Sequence, residues 1–204
     1  MLLVLAGDIQ TGKTRWLQKA VERLEDAGIS CHGVLAPGIW EEKDDGTFEK
    51  KGIDNLLLPE HTLIPFARRT DIAMQEGAFD PDSQAGRAQF KWHISDEAIA
   101  EVNNHFRTLR ETAGDSTQKR RILIIDELGR LEVLRGEGLV EAMSLLSDGP
   151  RGIYTHAIVI ARDMFDISKR VADQYGSAWG GSERIAPNEE AWERWLQPLV
   201  EDDR

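Results

Sequence analysis

The residues of this sequence best suited to chemistry are the eight from Gly7 to Thr14, which match the pattern G-x-x-x-x-G-K-S/T at every fixed position. In that pattern the backbone N–H groups of the loop point at phosphate oxygens, and the positive end of the following helix favours the same anion. The candidate nucleotide-binding residues are therefore Gly7, Asp8, Ile9, Gln10, Thr11, Gly12, Lys13 and Thr14.

Two side chains in this loop have chemistry of their own. Lys13 is expected to reach the β and γ phosphates of a nucleotide, and so to take part in catalysis. Such a lysine should be exposed to the ligand rather than buried in the core. Thr14 can offer its hydroxyl to Mg²⁺, the metal that usually accompanies a nucleoside triphosphate.

A second candidate site follows four consecutive aliphatic residues, Ile122 to Ile125, which end in Asp126 and Glu127. An unbroken aliphatic run is typical of a strand covered on both faces, as in parallel sheets. The two carboxylates would then lie at the carboxyl end of the strand, where ligands bind in open α/β sheets. We expect Asp126 to hold Mg²⁺ and Glu127 to orient the attacking water.

The flanking segments can place both motifs at one edge of a sheet. Leu2 to Leu5 has the length of a buried strand, and apolar residues recur at helical spacing from Trp16 to Leu24. Residues 30–68 predict an antiparallel β-meander: a strand from Ser30 to about Trp40, a turn at Asp44-Asp45-Gly46, and strands over 47–58 and 62–67.

The second half of the chain alternates helices and strands. Ser95 is a candidate cap for a helix with a buried stripe, and Gly114 to Lys119 reads as a loop. The remaining predictions are a helix near 139–146, a strand over Tyr154–Ala161, a helix with Met164, Ile167 and Val171, a strand near 183–186, and a last helix capped by Asn188 with Trp192 and Trp195 in the core.

Length and charge limit the classes of protein. The 204 residues suit a single domain spanning 1–204, and a net charge of -11 disfavours nucleic acid or an anionic membrane as partner. No stretch reaches the ~20 apolar residues of a membrane span. Cys31 is the only cysteine, which fits a reducing cytoplasm. The five histidines lack ligand spacing, so no metal beyond Mg²⁺ is expected.

Three segments in order resemble the small cancer-related nucleoside-triphosphatase family. They are Gly7 to Thr14, the region beginning Gly33-Val34-Leu35-Ala36, and Asp126-Glu127-Leu128-Gly129-Arg130-Leu131-Glu132. The resemblance implies an α/β P-loop NTPase fold of the RecA-like and AAA-like kind. Its three layers would be a mixed, mostly parallel sheet between helices, with the β-meander as an insertion. It also implies slow, base-tolerant hydrolysis of a triphosphate such as ATP or GTP.

The sequence also departs from that family. Arg130 stands where the family has lysine or proline, and either a phosphate contact or an ion pair with Glu132 or Glu127 would suit it, the ion pair being favoured. The family often carries Asn-Arg before its last helix, whereas this chain reads Pro187-Asn188-Glu189.

The leading hypothesis is Mg²⁺-dependent hydrolysis of a nucleoside triphosphate to diphosphate and phosphate, with Glu127 and Lys13 as catalytic residues and Thr14 and Asp126 at the metal. One alternative is a kinase for a small acceptor, with extra cations from Arg68, Arg69, Lys119, Arg120 and Arg121. Another is a nucleotide-dependent switch that binds a protein partner, which exposed Trp40 and Trp92 would favour. Arg162, at the end of a predicted strand, is a further candidate for the γ phosphate.

Overall fold

A computed structural model describes residues 1–8, 11–112 and 121–201, which form an α/β fold around a mixed nine-stranded sheet. The strands are β1 (Leu2–Leu5), β2 (Ser30–Leu35), β3 (Gly38–Glu42), β4 (Phe48–Leu58), β5 (Thr62–Arg69), β6 (Trp92–Ile94), β7 (Arg121–Leu128), β8 (Tyr154–Ala161) and β9 (Ser182–Ile185).

Five parallel strands form the centre of the sheet. The strand order is β6-β5-β4-β2-β7-β8-β1-β9, with β3 paired to β4 off this path. Strands β2, β7, β8, β1 and β9 run parallel, whereas β4 joins β2 antiparallel. The run from Ile122 to Ile125 is fully buried in the middle of this sheet, which confirms the prediction of a covered parallel strand.

Helices connect the strands. They are α1 (Lys13–Asp26), α2 (Thr70–Gln75), α3 (Gln84–Arg87), α4 (Asp96–Glu111), α5 (Arg130–Arg135), α6 (Val140–Asp148), α7 (Ile167–Tyr175), α8 (Glu189–Ala191) and α9 (Gln197–Glu201). Short 3₁₀ segments cover Met164–Asp166 and Gly176–Trp179, and a π-helical turn at Trp192–Leu196 joins α8 to α9.

Alternation along the strands divides the core between the two faces of the sheet. In β1, Leu2 and Val4 pack with residues of α4, α6 and α7, whereas Leu3 and Leu5 pack with α1 and the C-terminal helices. Successive side chains of a strand point to opposite faces, so a strand buried on both sides must be apolar throughout. Helices on both faces therefore hold the central strands in place.

The antiparallel part of the sheet differs in detail from the predicted meander. The expected strand from Ser30 to Trp40 is two strands, because Pro37 has no N–H for a ladder and the chain turns there from β2 into β3. Strand β2 belongs to the parallel centre, and the antiparallel strands continue beyond residue 68 as far as β6. The turn at Asp44-Asp45-Gly46 is confirmed between β3 and β4.

Most predictions for the second half agree with the structure. The side chains of Ser95 and Asn188 accept hydrogen bonds from backbone N–H groups at the starts of α4 and α8, so both caps are confirmed. The strand Tyr154–Ala161 is confirmed as β8. Met164 is not part of a buried helical stripe, since it is 53 % exposed. Trp192 is buried but Trp195 only partly, and the loop predicted over Gly114–Lys119 lies outside the described residues.

Candidate nucleotide site

The phosphate-loop motif lies between β1 and α1, where the sequence predicts it. Gly12 directly precedes α1 with φ of 83°, a left-handed conformation that glycine adopts without a steric penalty. The backbone N–H groups at the start of α1 are therefore presented beyond the carboxyl end of β1. Ile9 and Gln10, which were predicted to complete the loop, lie outside the described residues.

The Lys13 ammonium is enclosed by the loop itself. Its Nζ donates hydrogen bonds to the carbonyl oxygens of Gly7, at 2.9 Å, and Asp8, at 2.5 Å. Lys13 as a whole is only 7 % exposed, and the loop rather than the hydrophobic core covers its ammonium. The loop carbonyl oxygens accept the hydrogen bonds that the hypothesis assigns to phosphate oxygens.

Charged groups from the ends of two strands act on Lys13. Burial lowers the pKa of Lys13, and charges of both signs act on it: Glu127 and Asp126 raise the pKa, whereas Arg162 lowers it. Asp126 and Glu127 are in β7, and Arg162 directly follows β8. The structure thus brings the predicted loop and the predicted acidic pair together at the carboxyl ends of parallel strands.

Asp126 is the buried member of the acidic pair. It is 4 % exposed, and its Oδ2 accepts a hydrogen bond of 3.1 Å from the backbone N–H of Ala36, just past the end of β2. Burial raises the pKa of Asp126 to about 6, and the charge of Glu127 acts in the same direction. Hydrogen bonds from Ala36 and from the Thr14 side chain oppose the rise. A nearby cation would favour the charged form of this carboxylate.

Thr14 and Asp126 suit a nucleotide-borne magnesium ion. Both residues offer oxygen, the ligand that Mg²⁺ prefers, and Mg²⁺ in phosphate sites is commonly held by one or two protein oxygens together with the phosphates. Thr14 and Asp126 are the residues that would hold it. Within the described ranges, no group of three or more His, Cys, Asp or Glu side chains could hold a metal ion.

Glu127 is more exposed and is engaged by Arg162. The Arg162 Nη2 lies 2.6 Å from Glu127 Oε1, and both side chains are about one third exposed, at 37 % and 31 %. The peptide bond between Asp126 and Glu127 is cis. Arg162 also lines a cleft of about 280 Å³ with Gly7, Asp8, Asp163 and Met164. A strand-end arginine thus lies beside both the phosphate loop and the candidate general base.

Arg130 and Glu132, the next charged residues after Glu127, do not form the ion pair that the sequence favoured. Arg130 forms no ion pair with Glu132 or Glu127 among the described residues; its guanidinium lies over the rings of Phe90, at 4.8 Å, and Phe165, at 5.4 Å. Glu132 is buried and accepts hydrogen bonds from the backbone N–H groups of Gly129 and Leu139. The ion pair fails because the carboxylate already caps α5 and faces inward.

Lys50 is a site residue that the sequence analysis missed. Burial lowers its pKa, while the charges of Glu127 and Asp126 raise it and that of Arg162 lowers it, so Lys50 lies near the same groups as Lys13. Its Nζ lies 5.4 Å from the centre of the Trp92 ring. The β3–β4 hairpin was predictable from its turn. How far β4 extends past the end of β2 depends on the register between these two strands, which the residues around Lys50 do not reveal.

Two of the cations suggested for a kinase acceptor are held in ion pairs. Arg68 pairs with Asp54, and Arg69 pairs with Glu49 and Asp71. Arg121 begins β7 and is therefore at the opposite end of that strand from Asp126, and Lys119 and Arg120 are outside the described residues. Of the two tryptophans expected for a switch, Trp40 is 44 % exposed, whereas Trp92 is half-buried.

Comparisons with protein-family models, curated proteins and solved structures find no match to this chain. Throughout the part of the chain that the structure describes, every helix is too short or too polar to cross a lipid bilayer.

Proposed function

We propose that the protein binds a nucleoside triphosphate with Mg²⁺ and hydrolyses it to the diphosphate and phosphate. The observation that carries the proposal is the position of Arg162, which lines one cleft with Gly7 and Asp8 and pairs with Glu127 at 2.6 Å. It joins the phosphate-loop motif to the acidic end of β7, two segments more than a hundred residues apart in sequence. A glycine-containing turn without nucleotide function has no need of this convergence.

In the proposed reaction, a water molecule attacks the γ phosphorus, the bond to the β–γ bridging oxygen breaks, and the water proton passes to Glu127. Glu127 suits this role because Arg162 holds Oε1, whereas Oε2 has no hydrogen-bond partner among the described residues. Lys13 exchanges its loop carbonyls for phosphate oxygens when the nucleotide binds. Bound Mg²⁺ would neutralise negative charge on the phosphates.

The order of the motifs and the parallel centre of the sheet support a P-loop NTPase domain of the RecA-like and AAA-like kind. They also support the resemblance to the small cancer-related nucleoside-triphosphatase family. The kinase alternative is weaker, because Arg68 and Arg69 are already engaged in ion pairs with Asp54, Glu49 and Asp71.

A nucleotide-dependent switch is the second candidate. Trp40 and Phe48 are 44 % and 63 % exposed on the two strands of the β3–β4 hairpin. Large apolar side chains at an exposed hairpin suit contact with another protein. In this alternative, hydrolysis would serve only to reset the bound state.

Phosphate release from purified protein separates these functions. The protein is incubated with ATP or GTP and Mg²⁺, with and without a mixture of small metabolites. Release from the triphosphate alone supports the hydrolase, whereas diphosphate formed only with the mixture indicates a kinase. Tight binding with negligible turnover indicates the switch, and absence of binding would overturn the nucleotide assignment.

A further inference from the structure

Part of β4 projects beyond the carboxyl edge of the parallel sheet. The strand has 11 residues, but only Leu56, Leu57 and Leu58 pair with β2. The register places Leu56 opposite Leu35, the last residue of β2, so residues 48–55 continue past that end. They pair instead with β3 and β5. This overhang of β4, residues 48–55, lies on the side of the sheet where Asp126 and the phosphate loop are found.

Lys50 is the residue of the overhang whose charge acts on the site. It interacts electrostatically with Glu127, Asp126 and Arg162, and its Nζ lies 5.4 Å from the centre of the Trp92 ring. Lys43 and Lys51, its neighbours on the hairpin, are in ion pairs with Glu49, and Lys51 also with Glu41. Among the described residues, Lys50 has no carboxylate within ion-pair distance. A partly buried ammonium without a close counter-charge can gain most from an anion.

Gly38 makes room for this side chain. A Cβ at position 38 would lie 2.6 Å from Lys50 Cε and 2.7 Å from Trp40 Nε1. Any residue with a side chain at position 38 would therefore displace the end of Lys50. The absence of a side chain on β3 lets the Lys50 stem pass over this position.

We propose that Lys50 is a second phosphate-binding lysine, which contacts the terminal phosphate of the triphosphate from the β4 overhang. The inference rests on the proposed function, because it supplies that site with a further cation. An ammonium at the terminal phosphate stabilises the charge that the leaving and transferring groups share during hydrolysis. It also gives the antiparallel strands a function in the site, since they hold Lys50 in place.

The test compares Lys50→Gln with Lys51→Gln. Binding of an imido-bridged, non-hydrolysable triphosphate and of the diphosphate is measured with Mg²⁺, beside single-turnover hydrolysis. Lys50→Gln should weaken triphosphate binding or slow hydrolysis roughly 10- to 100-fold, the value of a charged hydrogen bond. Diphosphate binding should change less than about twofold. Lys51→Gln loses only ion pairs that keep contact with solvent and should match the parent protein.

A second variant moves the lysine without removing it. Gly38→Ala should reproduce part of the Lys50→Gln defect, because the added methyl group displaces the flexible end of Lys50. If Lys50→Gln behaves as Lys51→Gln does, or weakens diphosphate and triphosphate binding equally, the inference is wrong and the proposed function stands. If the parent protein binds no nucleotide, or Lys13→Ala binds as well as the parent, the proposed function fails first.

Discussion

Asp126 and Glu127 are adjacent in sequence but have different surroundings. Asp126 is buried against Ala36 and Thr14, whereas Glu127 is partly exposed and paired with Arg162. A buried carboxylate beside a hydroxyl suits a metal site, and an accessible carboxylate with one free oxygen suits a water molecule. The two residues should therefore differ in the step of the reaction that their substitution impairs.

Glu127→Gln should lower single-turnover hydrolysis by ~10²- to 10⁴-fold while leaving triphosphate affinity nearly unchanged, because it removes the proton acceptor and keeps the shape. The variant also weakens the ion pair with Arg162. Glu141→Gln is the matched control, since it weakens the ion pair with Arg107 away from the site. Hydrolysis by Glu127→Gln at the parent rate would remove Glu127 from the mechanism.

Asp126→Asn should raise the Mg²⁺ concentration needed for half-maximal turnover by roughly 10- to 100-fold, as loss of a group that supports a metal commonly does. The amide keeps an oxygen for the Ala36 N–H but loses the charge. A magnesium titration of phosphate release measures the effect, with Asp148→Asn as a control that weakens an ion pair with Arg110. An unchanged magnesium requirement would contradict the role of Asp126.

Local sequence signals predicted where the candidate residues lie better than they predicted what surrounds those residues. The loop motif and the strand-end carboxylates were identified because residue type and neighbours define them. The enclosed Lys13 ammonium, the inward Glu132 and the stacked Arg130 were not, because each depends on atoms distant in the chain. Lys50 was missed for the same reason.

At the scale of elements, hydrophobic periodicity predicted the parallel centre, and turn chemistry predicted the hairpin. Both signals are local, and so is the capping of α4 by Ser95. The division of residues 30–40 into β2 and β3 could have been predicted by interpreting Pro37 as a break between two strands. The pairing of β4 with β2 is non-local, so the sequence predicted a meander attached to the core but not that its strands continue the same sheet.

Two strands beside β7 carry histidines with a consequence for acid stability. His32 in β2 pairs with Leu123, and His156 in β8 pairs with Ile122. Burial lowers the pKa of each ring from 6.5 to about 4, aided for His32 by the charge of Arg121 and for His156 by the chain's amino terminus. Both rings therefore stay neutral in the folded protein under conditions that protonate them in the unfolded chain.

Stability should consequently fall as the pH drops from about 6.5 to about 4, because the unfolded chain then binds more protons than the folded one. We expect each histidine to contribute about 1 to 2 kcal/mol to this loss, less than the full shift implies, since both rings keep some contact with solvent. Urea unfolding at several pH values should show a smaller loss in the double variant His32→Gln/His156→Gln. Parallel pH curves for the two proteins would contradict this origin.

At the scale of the whole molecule, an acidic protein is proposed to bind a polyanion. The net charge is -11, yet Lys13, Lys50 and Arg162 lie around the acidic pair at one edge of the sheet. Local cations and backbone N–H groups can attract phosphate despite an unfavourable net charge. Salt largely screens the surface charges that lie more than ~8–10 Å from the phosphate. Magnesium further reduces the charge of the nucleotide, so the metal and the triphosphate should bind together.

Triphosphate with Mg²⁺ should therefore raise the melting temperature of the parent protein by about 5 to 10 °C at a ligand concentration near 100 Kd. This value corresponds to about 2.7 kcal/mol of linkage and about 2 to 4 °C per kcal/mol for a chain of this size. The shift should be much smaller in excess chelator. Lys13→Ala should remove most of it, whereas Lys19→Ala, an exposed position on the same helix α1, should keep it. Because Lys13→Ala also frees the carbonyls of Gly7 and Asp8, each variant is compared with its own ligand-free melting curve. A full ligand-induced shift in Lys13→Ala would contradict the phosphate-loop assignment, whatever the variant's stability without nucleotide.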